Sequence, residues 1–358
     1  MDESGEAMTD EGATAAALAE TSPKADKRRY DIDILRILAA FAVILLHTGG
    51  ELLRASQGAV HSTALYWTGL SADTLGRFAV PVFFAMAGWV LLSGAPPRDS
   101  AALMRRVWRV VVPLAIWTVV YIAIGHRGIG DGSAAKLAVD SLFGQIRPAY
   151  HLWYLYQYIP CLVLLGAVVL LLKRKSAWMP MAALAAIAAI PVVIDGVQRV
   201  TGWTAPPLTW GVGLSSLLYA LGGGALLAAR PLRRLWALLL FAAGLAGTLA
   251  WQHLIHFPVP YGALPVAVLS AGAVLLGRGV TVPDPWKAAV VRVSNATFGA
   301  YLVHLLILQA LSAWLLRPGM GWLGSLGALA AITVGTASGA LGLSMLWGRV
   351  PLLRRLLG

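Results

Sequence analysis

Cysteine is almost missing from this chain. Cys161 stands alone inside an apolar run, so no disulfide framework and no cysteine-rich metal site can be assembled. Charge is scarce too. Only 12% of the 358 residues are charged, against about one-quarter in an ordinary soluble domain. Acidic residues are the rarer sign, 16 against 28 Lys and Arg. The sequence contains no Walker-type phosphate loop, no His-Glu-x-x-His zinc motif and no dinucleotide glycine pattern. It also lacks a convincing internal repeat, and no matched pair of broken helices points to an inverted-repeat transporter.

What fills the sequence instead is apolar. Hydrophobic residues make up 58%, mean hydropathy is +0.73, and 38 glycines are spread through the runs, as expected where helices pack closely in lipid. A net charge of +12 raises the question of nucleic acid. The basic residues recur between apolar runs, however, which is the pattern of membrane topology and not of a nucleic-acid surface.

The fold class expected from this is an all-α polytopic membrane protein. Ten segments are long enough to cross a bilayer core: 34–54, 71–94, 107–125, 151–172, 178–197, 209–229, 233–252, 261–277, 296–316 and 325–347. The segment 261–277 is the shortest and carries Pro265. With the N-terminus inside, 20 Lys and Arg fall on the cytoplasmic side and seven on the outer side, so both termini are expected in the cytoplasm of a plasma-membrane protein. Residues 1–29 are small, polar and acidic, with no apolar stretch ahead of a cleavage site. They read as a disordered cytoplasmic tail. Residues 30–348 form the membrane domain, and 349–358 a basic cytoplasmic tail.

The most informative stretch is YDIDILRILAAFAVILLHTGGE, residues 30–51. An ionisable group at mid-membrane costs about 2.5–3.5 kcal/mol on insertion scales, so a helix that keeps several faces a cavity or a partner. Asp33 and Arg36 lie i,i+3 and can pair on one face. Arg36 and His47 are eleven residues apart, close to three turns, and share a face about 16 Å apart along the axis. His47 and Glu51 lie i,i+4, which suits a base and a carboxylate that orients it. A structural polar pair, or a Glu51 turned to water, is the plainer alternative.

Three further clusters stand out. Arg106 and Arg109 lie i,i+3 at the start of the third span, in the segment RRVWR. They serve either as an ordinary cytoplasmic anchor or, with Arg36, as a clamp for a phosphate-bearing ligand. The segment HLWYLYQYIP begins with His151 and contains Trp153; by itself it is an interfacial aromatic belt. SNATFGAYLVH places Tyr301 and His304 about one turn apart in the ninth span, suited equally to a site and to interhelical hydrogen bonding.

Taken in order, these segments resemble the acyltransferase-three family of integral membrane O-acyltransferases, over nearly all of 30–347. The first-helix pattern is met by Asp33, Arg36 and His47. The Arg-x-x-Arg pair is met by Arg106 and Arg109. PVFFAMAG follows the family's P-x-FF-x-x-SG, with Ala87 where serine is usual. HLWYL and TFGAYLVH also match, and the HLWYL form is most similar to stand-alone surface-glycan O-acetyltransferases. The resemblance implies transfer of an acyl group, expected to be acetyl, from cytoplasmic acyl-CoA to a hydroxyl of a glycan, a lipid-linked sugar or another acceptor. It implies no metal. In that frame Arg36, Arg106 and Arg109 hold the CoA phosphates, the pantetheine arm runs along the first helix, and His47 acts with Glu51. Asp33, His151, Trp153, Tyr301 and His304 are expected to contact substrate. The rival class is a transporter or flippase that uses the same buried charges as a substrate path. The discriminating feature is the set of cytoplasmic cations, which a CoA site needs and a flippase does not. A purely structural membrane subunit fits poorly with so many ionisable groups at depth.

Overall fold

The computed structural model describes residues 28–56, 64–124, 137, 140, 141, 149–172, 211–230 and 232–358. Every regular element among them is helical. In chain order we name α1 (Tyr30–Ala55), α2 (Ala64–Gly76), α3 (Ala79–Trp89), α4 (Ser100–Ala123), α5 (Trp153–Leu172), α6 (Leu214–Leu218), α7 (Gly224–Ala228), α8 (Arg234–Leu254), α9 (Leu264–Gly277), α10 (Asp284–Leu315), α11 (Trp322–Trp347) and α12 (Pro351–Leu357).

Seven helices among the described residues are long and apolar enough to cross a membrane. They answer to seven of the ten expected spans. Two more expected spans, 209–229 and 261–277, are shorter apolar helices, Leu214–Ala228 and Leu264–Gly277. The first is interrupted by a π-turn at Tyr219–Gly223. The second starts beside Pro265 and ends before Gly279, whose φ of 72° suits glycine alone. The span expected at 178–197 lies outside the described residues.

Helix α1 is the hub, packing against α2, α3, α9, α10 and α11. Its start is fixed by Asp31, which accepts from the Gly279 backbone N–H at 2.8 Å and from Arg29 at 2.7 Å; an acidic group there also complements the helix dipole. Close approach of α1 and α2 depends on glycine. A Cβ on Gly49 would sit 2.6 Å from both Asp73 N and Gly69 O. Helix α4 starts on Asp99, whose carboxylate caps the Ala102 N–H at 2.6 Å.

Helix α10 differs from expectation in length. It begins at Asp284, not near 296, and runs 32 residues. At 1.5 Å per residue that is about 48 Å, well beyond a hydrocarbon core of roughly 30 Å. The polar first turns, with Pro285 near the start, hid the helix from a hydropathy reading. The final basic segment is also not a bare tail. It forms α12, which packs against α4, and the indole N–H groups of Trp117 and Trp347 donate to the main-chain oxygens of Leu357 and Gly358 at 3.3 and 3.0 Å.

Candidate functional site

A cavity of about 480 Å³ follows α1 between Arg36 and His47, walled by α3, α4, α5 and α10. Near Arg36 it is lined by Arg109, Ser294 and Asn295, and near His47 by His151, Trp153 and Tyr261. Phe83, Tyr154, Tyr158 and Tyr301 also line it. The shape follows from the spacing in α1, because eleven residues bring the two ionisable groups back to one face.

The arginine end is built around Asp33. This buried carboxylate accepts from Arg28 at 2.8 and 3.1 Å and from the Ser294 hydroxyl at 2.6 Å. The Ser294 oxygen in turn accepts from Arg36 Nη1 at 3.2 Å, and Arg36 stands 3.7 Å from Asp33. Asp33 therefore aims Arg36 and ties α1 to α10; it does not line the cavity. Arg109 lines it, with no side-chain hydrogen bond or ion pair to another described residue. Arg106, one turn earlier, points elsewhere. It donates to the Ala95 carbonyl at 2.5 Å and braces the turn ahead of α4.

The histidine end holds three imidazoles. His47 stacks on His304, with centroids 5.4 Å apart and planes at 18°. It meets the edge of Tyr150 at 5.0 Å. His304 lies 4.9 Å from His151, and the Tyr301 hydroxyl donates to the His151 carbonyl at 2.6 Å. His304 Nδ1 lies 2.5 Å from the Tyr301 carbonyl. A carbonyl only accepts, so Nδ1 carries the proton and, in the neutral ring, Nε2 is left as an acceptor. That Nε2 is fully buried with no hydrogen-bond partner among the described residues. His47 makes no hydrogen bond to another described residue, so its nitrogens are free for a ligand.

Glu51 is paired with Arg54 and not with His47. Its carboxylate receives Arg54 Nη1 at 2.7 Å on both oxygens and has no hydrogen bond to His47. The His47 ring is instead set by His304 and Tyr150. Farther along the wall Trp153 lies against Tyr261, with ring centroids 5.4 Å apart and planes tilted by 31°. Arg77 lies 5.6 Å over the Tyr261 ring and is itself held by Asp73 at 2.7 and 2.8 Å. Among the described residues, no three His, Cys, Asp or Glu side chains converge for a metal ion.

Of the residues singled out from sequence, Arg36, Arg109, His47, His151, Trp153 and Tyr301 line one cavity. His304 backs His47, and Asp33 backs Arg36. Arg106 and Glu51 lie outside. The sequence reading missed Tyr154, Tyr158, Tyr261, Ser294 and Asn295. Tyr154 and Tyr158 are i,i+4 within HLWYLYQYIP, so their shared face was available as a signal. Ser294 and Asn295 sit in the late motif, behind the more conspicuous Tyr301 and His304. Tyr261 lies in a loop, where no periodicity could mark it.

The arrangement offers cations at one end of a long passage, an unencumbered imidazole at the other and aromatic walls between. The acyltransferase-three family model, described as an acyltransferase domain, matches residues 29–345. No curated protein and no solved structure matches the chain.

Proposed function

The chain belongs to the acyltransferase-three family, and from that membership we propose that it moves an acyl group, acetyl foremost, from cytoplasmic acyl-CoA to a hydroxyl on a glycan, a lipid-linked sugar or another acceptor. The observation that carries this reading is the single cavity joining Arg36 and Arg109 to His47. A CoA thioester has that polarity: an anionic head, a slender arm and a reactive carbonyl at the tip.

In this reading the thioester reaches His47 from the arginine side. The acceptor hydroxyl gives its proton to a His47 nitrogen as its oxygen attacks the thioester carbonyl. The C–S bond then breaks, and the departing thiolate takes the proton from the imidazolium. His304 and Tyr150 hold the His47 ring in place. His151 and Tyr301 shape the wall beside it, and Trp153 with Tyr261 offers an aromatic face for an acceptor sugar. Acyl-CoA is a substrate here, and the chemistry calls for no metal.

The same proposal includes ten spans, with 178–197 as the one outside the described residues, both termini in the cytoplasm and the plasma membrane as the location. The acyltransferase domain occupies 30–348. The test is incorporation of radiolabelled acetyl-CoA by native membranes with and without this protein. Protein-dependent, alkali-labile label on a glycan or lipid-linked sugar is expected. Membranes that move an acceptor across the bilayer without acylating it would move the assignment to a flippase.

A further inference from the structure

The reading above leaves the anionic head of the donor short of cations. Arg106 is engaged with Ala95 and Arg36 with Ser294 and Asp33. Among the described residues lining that end of the cavity, only Arg109 is uncommitted. Coenzyme A carries a diphosphate and a ribose 3′-phosphate, so further cations must lie where the cavity opens.

They are there. A second basin, of about 550 Å³, is lined by Arg292, Arg349 and Arg354. Asn295 lines both this basin and the cavity, so the two are neighbours on α10. Arg292 and Asn295 lie i,i+3 on α10, in the part of the helix that runs past the apolar core. Arg349 follows α11, and Arg354 is on α12. The hydrogen bonds from Trp117 and Trp347 hold α12 back against the bundle. Gly299 lets it come close, since a Cβ there would sit 2.8 Å from the main-chain oxygen of Gly358, which also lines the basin. None of the three arginine side chains makes a hydrogen bond or ion pair with another described residue. Three free guanidinium groups around one concavity are a site for clustered phosphates.

We propose that Arg292, Arg349 and Arg354 form the nucleotide subsite of the donor and bind the 3′-phosphate of coenzyme A. This rests on the acyl-CoA reading of the cavity. The same cations could take the headgroup of an anionic lipid, so the test separates the two sources.

The experiment is displacement of radiolabelled acetyl-CoA from the purified full-length protein by CoA and by dephospho-CoA, which lacks only the 3′-phosphate. It is run in phosphatidylcholine nanodiscs with and without phosphatidylglycerol. Wild-type protein is expected to bind CoA at least tenfold more tightly than dephospho-CoA, the scale of a charge-assisted phosphate contact. The triple variant Arg292→Ala, Arg349→Ala, Arg354→Ala should bring the two affinities together. If the triple variant does not fold, Arg349→Ala and Arg354→Ala singly should each narrow the ratio. Equal affinities in wild type, or a ratio that survives the substitutions, would overturn the subsite while leaving the donor reading intact. A ratio unchanged by the variants alongside lost phosphatidylglycerol binding would assign the basin to lipid. No displacement of acetyl-CoA by either ligand would overturn the donor reading and the subsite together.

Discussion

At the scale of single residues, geometry separates groups that spacing alone treats as equivalent. Arg106 and Arg109 share a motif, yet only Arg109 lines the cavity. Arg109→Ala is therefore expected to weaken donor binding by about 1.5–3 kcal/mol, the range for a charge-assisted contact. Arg106→Ala should leave donor affinity near wild type and instead lower thermal stability, because it frees the Ala95 carbonyl. Equilibrium binding of acetyl-CoA and a melting curve in detergent on both variants would check this; equal losses of affinity would contradict it. Glu51 teaches the same lesson. Its i,i+4 relation to His47 and its i,i+3 relation to Arg54 were both visible in the sequence, and the opposite full charge won. Glu51→Gln should accordingly change transfer little, and a hundredfold loss would show that the carboxylate reaches the histidine during turnover. Asp33, Arg36 and His47 could be picked out because ionisable groups in an apolar run are conspicuous. Tyr261 could not, because a loop residue's place on a cavity wall depends on how distant helices rotate against each other.

At the scale of elements, α1 organises the bundle because small residues let neighbours approach it. Gly49 abuts the α2 backbone, whereas a Cβ on Gly50 would meet no atom of the described residues within 4 Å. Gly49→Ala should therefore destabilise the protein by about 1–3 kcal/mol through overpacking, while Gly50→Ala should be nearly neutral. Thermal unfolding in one detergent compares them, and equal melting temperatures would refute close α1–α2 packing. The apolar runs located most of the crossing helices in advance, since a 20-residue apolar stretch has few other fates. They misjudged α10, whose first turns are polar, and they overlooked α12, which is too short and too basic for hydropathy to register. Both missed features surround the arginine basin.

At the scale of the whole molecule, the charge distribution predicts orientation, and orientation decides whether the donor enters from the cytoplasm. Single cysteines placed at Asp99, between α3 and α4, and at Pro258, between α8 and α9, should label from opposite sides of the membrane, with Asp99 inside. The native Cys161 is buried and gives little background. Labelling of both positions from one side would break the topology. The account as a whole turns on a donor passage that ends at His47, so the most direct measurement follows that residue. Wild-type and His47→Ala protein would be compared in native membranes for transfer of label from acetyl-CoA, with acetyl-CoA binding measured on the same purified proteins. Loss of a general base costs about 10²–10⁴-fold in rate. The account predicts a loss of that size with donor affinity near wild type; transfer at the wild-type rate would contradict it.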